Sequence, residues 1–184
     1  MLLLVDNFSS YFNDIIECLT RINSQYTIKK YNDLDGYDIN NYDGIILSGR
    51  TNNIKSMNVT NVRLINSAYN DDKPLFGICY GAEITALAFN GSLQRLNDRI
   101  IGDNNISVNK ENPLTSKKML DVFESHGYYI SRLPESFTGI ADSSTCKYEI
   151  IVHKRKQIFG TQFHPEVSKD GLEILSNFVQ LTRH

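Results

Sequence analysis

The chain has 184 residues, 41% of them hydrophobic and 22% charged, with a formal net charge of −2. That length supports one sizeable core, and residues 1–184 read as a single domain. The near-neutral balance offers no basic face for nucleic acid, and no apolar run approaches the roughly 18 residues of a membrane-crossing helix.

Residues 2–6 are apolar but too short, and without the basic flank, for a secretion signal; they read as a buried first strand. Ser9 or Ser10 stands at a capping position before Phe12, Ile15, Ile16, Leu19 and Ile22, which recur at helical spacing. Residues 25–31 alternate like a strand, and the Asn- and Asp-rich residues 32–43, with Tyr37 and Tyr42, read as a loop. Residues 43–47 form a short apolar run bounded by turn residues, which suits a parallel strand buried on both faces. Val62, Ile65, Ala68 and Tyr69 mark a helix. Residues 75–78 are another buried strand, and residues 83–89 a helix closed by Asn90-Gly91. Strands alternating with helices predict a parallel sheet covered on both faces.

Beyond Gly91 short strand-like runs dominate: Ile100-Ile101 and residues 119–123, 137–141, 148–152 and 158–162. A final helix is expected over about residues 169–181. Residues 97–112, again rich in Asn and Asp, read as a loop. Lys154-Arg155-Lys156 reads as a hairpin tip, and His153 and His184 as solvent-facing. The expected fold is α/β: an open, mostly parallel sheet flanked by helices, with an antiparallel extension. In such sheets the active crevice lies at the carboxyl ends of the strands, where Ser48-Gly49 and Cys79 both fall.

The three cysteines, Cys18, Cys79 and Cys146, are too few and too odd in number for a disulfide scaffold, which points to a reducing compartment. No CxxC or paired His/Cys spacing suggests a metal site, and none is expected. Cys18 and Cys146 read as inert. Cys79 differs, because Gly77-Ile78-Cys79-Tyr80-Gly81 ends a strand and opens a helix. A buried cysteine is often mere packing. A tight strand-to-helix corner flanked by glycines, however, resembles a nucleophile elbow, and a helix N-terminus stabilises a thiolate. A second block, Gly160-Thr161-Gln162-Phe163-His164-Pro165-Glu166, follows another strand. His164 suits a base that takes the thiol proton, and Glu166 a carboxylate that orients it.

Together the two blocks resemble the triad-type, class I glutamine amidotransferases, which share a flavodoxin-like fold. Asn112-Pro113-Leu114, Val122-Phe123-Glu124-Ser125-His126-Gly127, Leu133-Pro134 and Ala141-Asp142-Ser143 are similar to the GMP-synthase branch, particularly its separate archaeal glutaminase form. The resemblance covers nearly the whole chain. It implies attack of Cys79 on the side-chain amide of L-glutamine, with His164 moving protons and Glu166 holding it, and no cofactor. Backbone N–H groups of Tyr80 and of the loop carrying Gly49 and Arg50 would form the oxyanion hole. Glu83, Ser125, His126 and Tyr129 lie where the family lines its glutamine pocket. The chain carries neither a Walker A motif nor a Ser-Gly-Gly-x-Asp-Ser loop, so the resemblance implies a separate ATP-dependent synthetase, GMP synthase in type, and a cytoplasmic setting. No nucleic acid or membrane partner is implied.

Three positions depart from the family pattern. Arg50 replaces a glycine, Glu83 replaces a glutamine, and Tyr128 replaces an acidic residue. They keep two other readings open: a hydrolase using the same triad on a γ-glutamyl or peptide substrate, and a non-catalytic paralogue that binds a partner.

Overall fold

In the computed structural model, which describes residues 1–34, 36 and 38–183, the apolar runs become a nine-stranded sheet. Tyr37 and His184 lie outside the described residues. The first half supplies β1 (Leu2–Asp6), α1 (Phe12–Arg21), β2 (Tyr26–Lys30), β3 (Gly44–Leu47), α2 (Lys55–Asn70), β4 (Leu75–Ile78) and α3 (Tyr80–Ala88). The second supplies β5 (Ser92–Val108), β6 (Met119–Arg132), β7 (Phe137–Asp142), β8 (Ile150–His153), β9 (Ile158–Thr161) and α4 (Gly171–Leu181). The strand order is β2-β1-β3-β4-β9-β8-β7-β5-β6. The first five strands are mutually parallel, and β8, β7, β5 and β6 form the antiparallel extension.

Strand alternation divides the core. Leu2, Leu4, Ile46, Phe76 and Ile78 face α1 and α4, where Ile15, Leu19, Leu175 and Phe178 meet them. Leu3, Val5, Ile45, Leu47 and Leu75 face α2 and α3, against Met57, Leu64, Ile65 and Ile84. A strand covered on both sides has no reason to alternate polar with apolar, so these strands read as unbroken hydrophobic runs.

The structure departs from the sequence reading in five places. Residues 97–108 are not a loop: they belong to β5, which pairs with β6 from Ile100↔His126 to Ser107↔Met119. Likewise β6 continues past Phe123 to Arg132. This ribbon is exposed over much of its length and held by ladder hydrogen bonds, so its polar side chains hide it from a hydrophobic pattern. Helix α2 starts at Lys55, well before Val62, because its inner face includes the buried polar Asn61. Helix α3 starts directly after Cys79 rather than at Glu83. His153, expected in solvent, is buried among the rings of Tyr69, Phe89 and Phe137. Its Nδ1 accepts the N–H groups of Arg155 and Lys156, closing the β8–β9 hairpin.

The carboxyl ends of β1, β3, β4 and β9 converge, bringing Asn7, Ser48-Gly49, Cys79 and His164 to one edge of the sheet. A buried amide cluster fixes that edge. Asn7 receives the Nδ2–H of Asn61 on its Oδ1 at 2.7 Å, donates its backbone N–H to Ser48 Oγ at 2.9 Å, and donates Nδ2–H to the Ser48 carbonyl at 3.2 Å. Asn61→Leu, close in shape but without polar atoms, strands the Asn7 amide. It is expected to cost about 1–3 kcal/mol of unfolding free energy in urea melts.

Candidate active site

Cys79 sits at φ 49°, ψ −102°, and among the described residues no other with positive φ links a strand directly to a helix. A non-glycine residue pays strain for such a conformation, about 1–3 kcal/mol, and holds it only when its surroundings dictate it. Here the Cys79 N–H donates to the Thr161 carbonyl at 2.7 Å, while its own carbonyl accepts from Ala82 and Glu83 at the start of α3. The turn is tight enough that a Cβ added at Gly77 would lie 2.3 Å from the Gly81 carbonyl carbon. One added at Gly81 would lie 2.6 Å from the Leu47 carbonyl oxygen.

His164 reaches the same corner from the turn after β9. Its Nδ1 is 2.8 Å from Glu166 Oε1, both residues are buried, and Tyr11 covers the imidazole with ring centroids 4.6 Å apart. With Nδ1 held by the carboxylate, Nε2 is the nitrogen left to act on Cys79, whose thiol is near enough for the two groups to shift each other's charge. The thiol also lies 3.9 Å from the Ser125 carbonyl. Gly49 passes close beside: a Cβ there would stand 2.9 Å from His164 Cε1.

The charges follow from burial and partners. Burial opposes the imidazolium of His164, but Cys79 and Glu166 outweigh it and hold its pKa well above the ordinary histidine value. Burial pushes the Cys79 thiol up, His164 pulls it back, and the Glu83 and Glu166 carboxylates add to the push. His164 thus favours the thiolate of Cys79, against burial and the two carboxylates. Cys18 lies beneath, its thiol donating to the Glu166 carbonyl at 3.4 Å and raised to about 11, mainly by burial.

A 220 Å³ cavity opens over the sulfur. Its floor is Cys79, Tyr80 and Glu83; the β3 loop contributes Arg50, Thr51 and Asn53; the ribbon contributes Arg99 and residues 125–128. Of the residues expected there, Glu83, Ser125, His126, Tyr80 and Arg50 line it. Gly49 lies beside His164, and Tyr129 is not among the lining residues. Tyr80, first in α3, carries one of the N–H groups that a helix start leaves without an intrahelical acceptor. Arg50 has no positive φ, so its side chain brings no backbone strain. Its guanidinium donates to Asn53 Oδ1 at 2.6 Å and Asn58 Oδ1 at 3.1 Å, and lies 4.2 Å from the centre of the Tyr80 ring. Arg99 and Tyr128 complete the wall. Arg99, which donates to Ser125 Oγ at 3.0 Å, carried no signal because its segment read as a loop.

Behind the cavity stands a second buried set. His126 Nδ1 is 2.7 Å from the Tyr128 carbonyl, which can only accept, so that nitrogen carries a proton. Nε2 is 2.7 Å from Glu124 Oε2. Burial opposes the charge on His126, but Glu124 and the Tyr128 carbonyl outweigh it and raise its pKa. Glu149 lies near this pair with Oε2 unpartnered; burial, then the charge of Glu124, lift its pKa to about 8. An unfolded glutamate ionises near about 4.3. The folded chain therefore binds the extra proton between these values, and stability falls as pH rises through that window. Glu149→Gln removes the loss, so its advantage in urea melts is expected to grow by about 2 kcal/mol or more from pH 5 to pH 8.

The family profile described as "Glutamine amidotransferase class-I" matches residues 3–181. The chain belongs to the class I glutamine amidotransferases. Within this family it is 32% identical over 183 residues to a GMP synthase [glutamine-hydrolyzing] of Vibrio atlanticus (strain LGP32), and 31% identical to one of Vibrio cholerae. The alignments cover 96% of this chain but only 35% of those relatives. A crystal structure from Thermoplasma acidophilum, of a protein provisionally assigned as one of the subunits of GMP synthase, superposes with a TM-score of 0.88 at 29% identity. That match covers 98% of this chain and 92% of the other. A Thermotoga maritima glutamine amidotransferase, at 20% identity and TM-score 0.76, shares the fold; that match covers 90% of this chain and 76% of the other. Among the described residues no helix is long and apolar enough to cross a membrane.

Proposed function

We propose that the chain is a single glutaminase domain that hydrolyses L-glutamine to glutamate and ammonia. Cys79 adds to the side-chain amide carbon, and His164 protonates the departing ammonia. A γ-glutamyl thioester remains, and water, deprotonated by His164, cleaves it. Glu166 keeps the imidazole in the orientation and tautomer both steps need. The Tyr80 N–H, with one from the Gly49–Arg50 segment, steadies the oxyanion. The observation that carries this reading is the strained Cys79 corner facing a histidine whose other nitrogen is locked on a buried carboxylate.

The ammonia is consumed by a separate ATP-dependent synthetase in the cytoplasm, the GMP synthase type being favoured by the curated relatives, in the synthesis of a purine nucleotide. No cofactor or metal takes part in this scheme. Incubation with a diazo-ketone glutamine analogue is expected to add one label at Cys79, read by mass spectrometry, and Cys79→Ala to add none. Labelling that persists in the variant rejects the nucleophile. Mixing the chain with a candidate synthetase, ATP, XMP and glutamine tests the partner, and absence of glutamine-dependent GMP rejects it. A second reading, hydrolysis of a larger substrate by the same triad, is favoured by a further chamber that opens beyond the cavity over Cys79.

A further inference from the structure

The β5–β6 ladder breaks beside the cavity. Arg95 pairs with Tyr128 and Ile100 with His126, so residues 96–99 of β5 stand against Gly127 alone. A strand loses ladder hydrogen bonds at such an irregularity and bends there. Side-chain packing does not replace them at Gly127, where an added Cβ would meet nothing within 4 Å. Yet residues 125–128 form one wall of the cavity, and the Ser125 carbonyl lies 3.9 Å from the Cys79 thiol. A displacement of that wall by about 1 Å is enough to misplace a bound substrate for reaction.

His126 ties the break together from behind. Its Nδ1–H donates to the Tyr128 carbonyl at 2.7 Å, across Gly127. Its Nε2 lies 2.7 Å from Glu124 Oε2, and Glu124 Oε1 accepts from Asn104 Nδ2. Asn104 stands where the ladder is regular again, opposite Val122. The anchor therefore runs from β5 through two side chains to the carbonyl beyond the break. Arg99, carried by the irregular segment, holds the same wall from the other side through Ser125 Oγ at 3.0 Å. With both ring nitrogens engaged, the imidazole works on the cavity through its neighbours.

Stability does not account for this pair. Glu124 is 0% and His126 3% exposed. A buried ionic pair stabilises a fold no more than apolar side chains of similar volume. What such a pair does supply is fixed geometry, because charge-assisted hydrogen bonds are short and directional.

We propose that His126, braced by Glu124, is a positioning residue: its bond to the Tyr128 carbonyl sets the place of residues 125–128 against Cys79, and with it the fit of glutamine in the cavity. This rests on the glutaminase reading.

Two double variants isolate that bond. Glu124→Leu with His126→Leu removes the pair without stranding a charge. Glu124→Leu with His126→Asn differs in returning an N–H at the place of Nδ1. In the full chain, labelling of Cys79 by 6-diazo-5-oxo-L-norleucine, which must fit the cavity, is compared with labelling by iodoacetamide, which needs the thiolate alone. The first variant is expected to lower the ratio of the two rate constants, and to raise KM for glutamine, by about tenfold or more; the second is expected to recover most of the loss. A change in thiol acidity or in folded fraction moves both reagents together and leaves the ratio where it was. An unchanged ratio in the first variant, no recovery in the second, or failure of both to fold by circular dichroism overturns the positioning role and leaves the glutaminase reading standing. A native chain that reacts with iodoacetamide but not with the diazo-ketone overturns the glutaminase reading, and the positioning role with it.

Discussion

Replacing His164 by asparagine is expected to lower ammonia release from glutamine by about 10³–10⁴-fold and to change how Cys79 responds to pH. In the native chain burial opposes the imidazolium of His164, but Cys79 and then Glu166 outweigh it and hold its pKa well above the usual histidine range. Alkylation of Cys79 should then be nearly flat with pH around neutrality. In the variant, burial still pushes the thiol up and its principal counterweight is gone. Thiolate then forms only by titration, so the alkylation rate should climb about tenfold per pH unit through the alkaline range. The measurement is the rate of iodoacetamide adduct formation at Cys79 against pH, with circular dichroism to show that the variant is folded. Parallel pH profiles in both proteins would mean that His164 does not act on the sulfur.

The contrast between what was legible in the chain and what was not has a physical origin. The parallel half was readable because each strand is covered on both faces, leaving runs such as Leu2–Val5 and Ile45–Leu47 without polar interruption. The corner at Cys79 was readable because its constraint is local: Gly77 and Gly81 must lack side chains for the turn to close. The ribbon was not. Its stability comes from the β5–β6 ladder, and Asn104 and Asn105 are held by side-chain bonds to Glu124 and Asp121 rather than by burial. Missing the ribbon meant missing Arg99, which reaches the cavity only because Ile100 pairs with His126. Tyr129 follows Tyr128 in β6 but is not among the residues that line the cavity. His153 was misread because a lone histidine on a short strand carries no mark of which face it occupies; its aromatic neighbours come from α2, the end of α3 and β7.

The second large effect is expected at Gly77. A methyl group there meets only backbone: the Gly81 carbonyl carbon at 2.3 Å, the Gly81 oxygen at 2.4 Å and the Ala82 nitrogen at 2.7 Å. None of these is the end of a flexible side chain, so relief requires moving the first turn of α3 as a body. That turn is fixed from both sides, by the Cys79 N–H on Thr161 and by Gly81 lying against Leu47. Gly77→Ala is therefore expected to destabilise the chain by about 3 kcal/mol, a melting-temperature drop of roughly 6–12 °C. Gly127→Ala is the control. Its added methyl meets nothing within 4 Å, and its stability should stay within about 0.5 kcal/mol of the native chain. Because the Gly77 displacement falls on the turn that carries the thiol, labelling at Cys79 should fall even at temperatures where Gly77→Ala remains folded. A variant that loses stability but labels at the native rate would show that the corner packs the helix without setting the reach of the sulfur. Equal stability of the two alanine variants would mean that the close approach of β4 to α3 is not required by the fold.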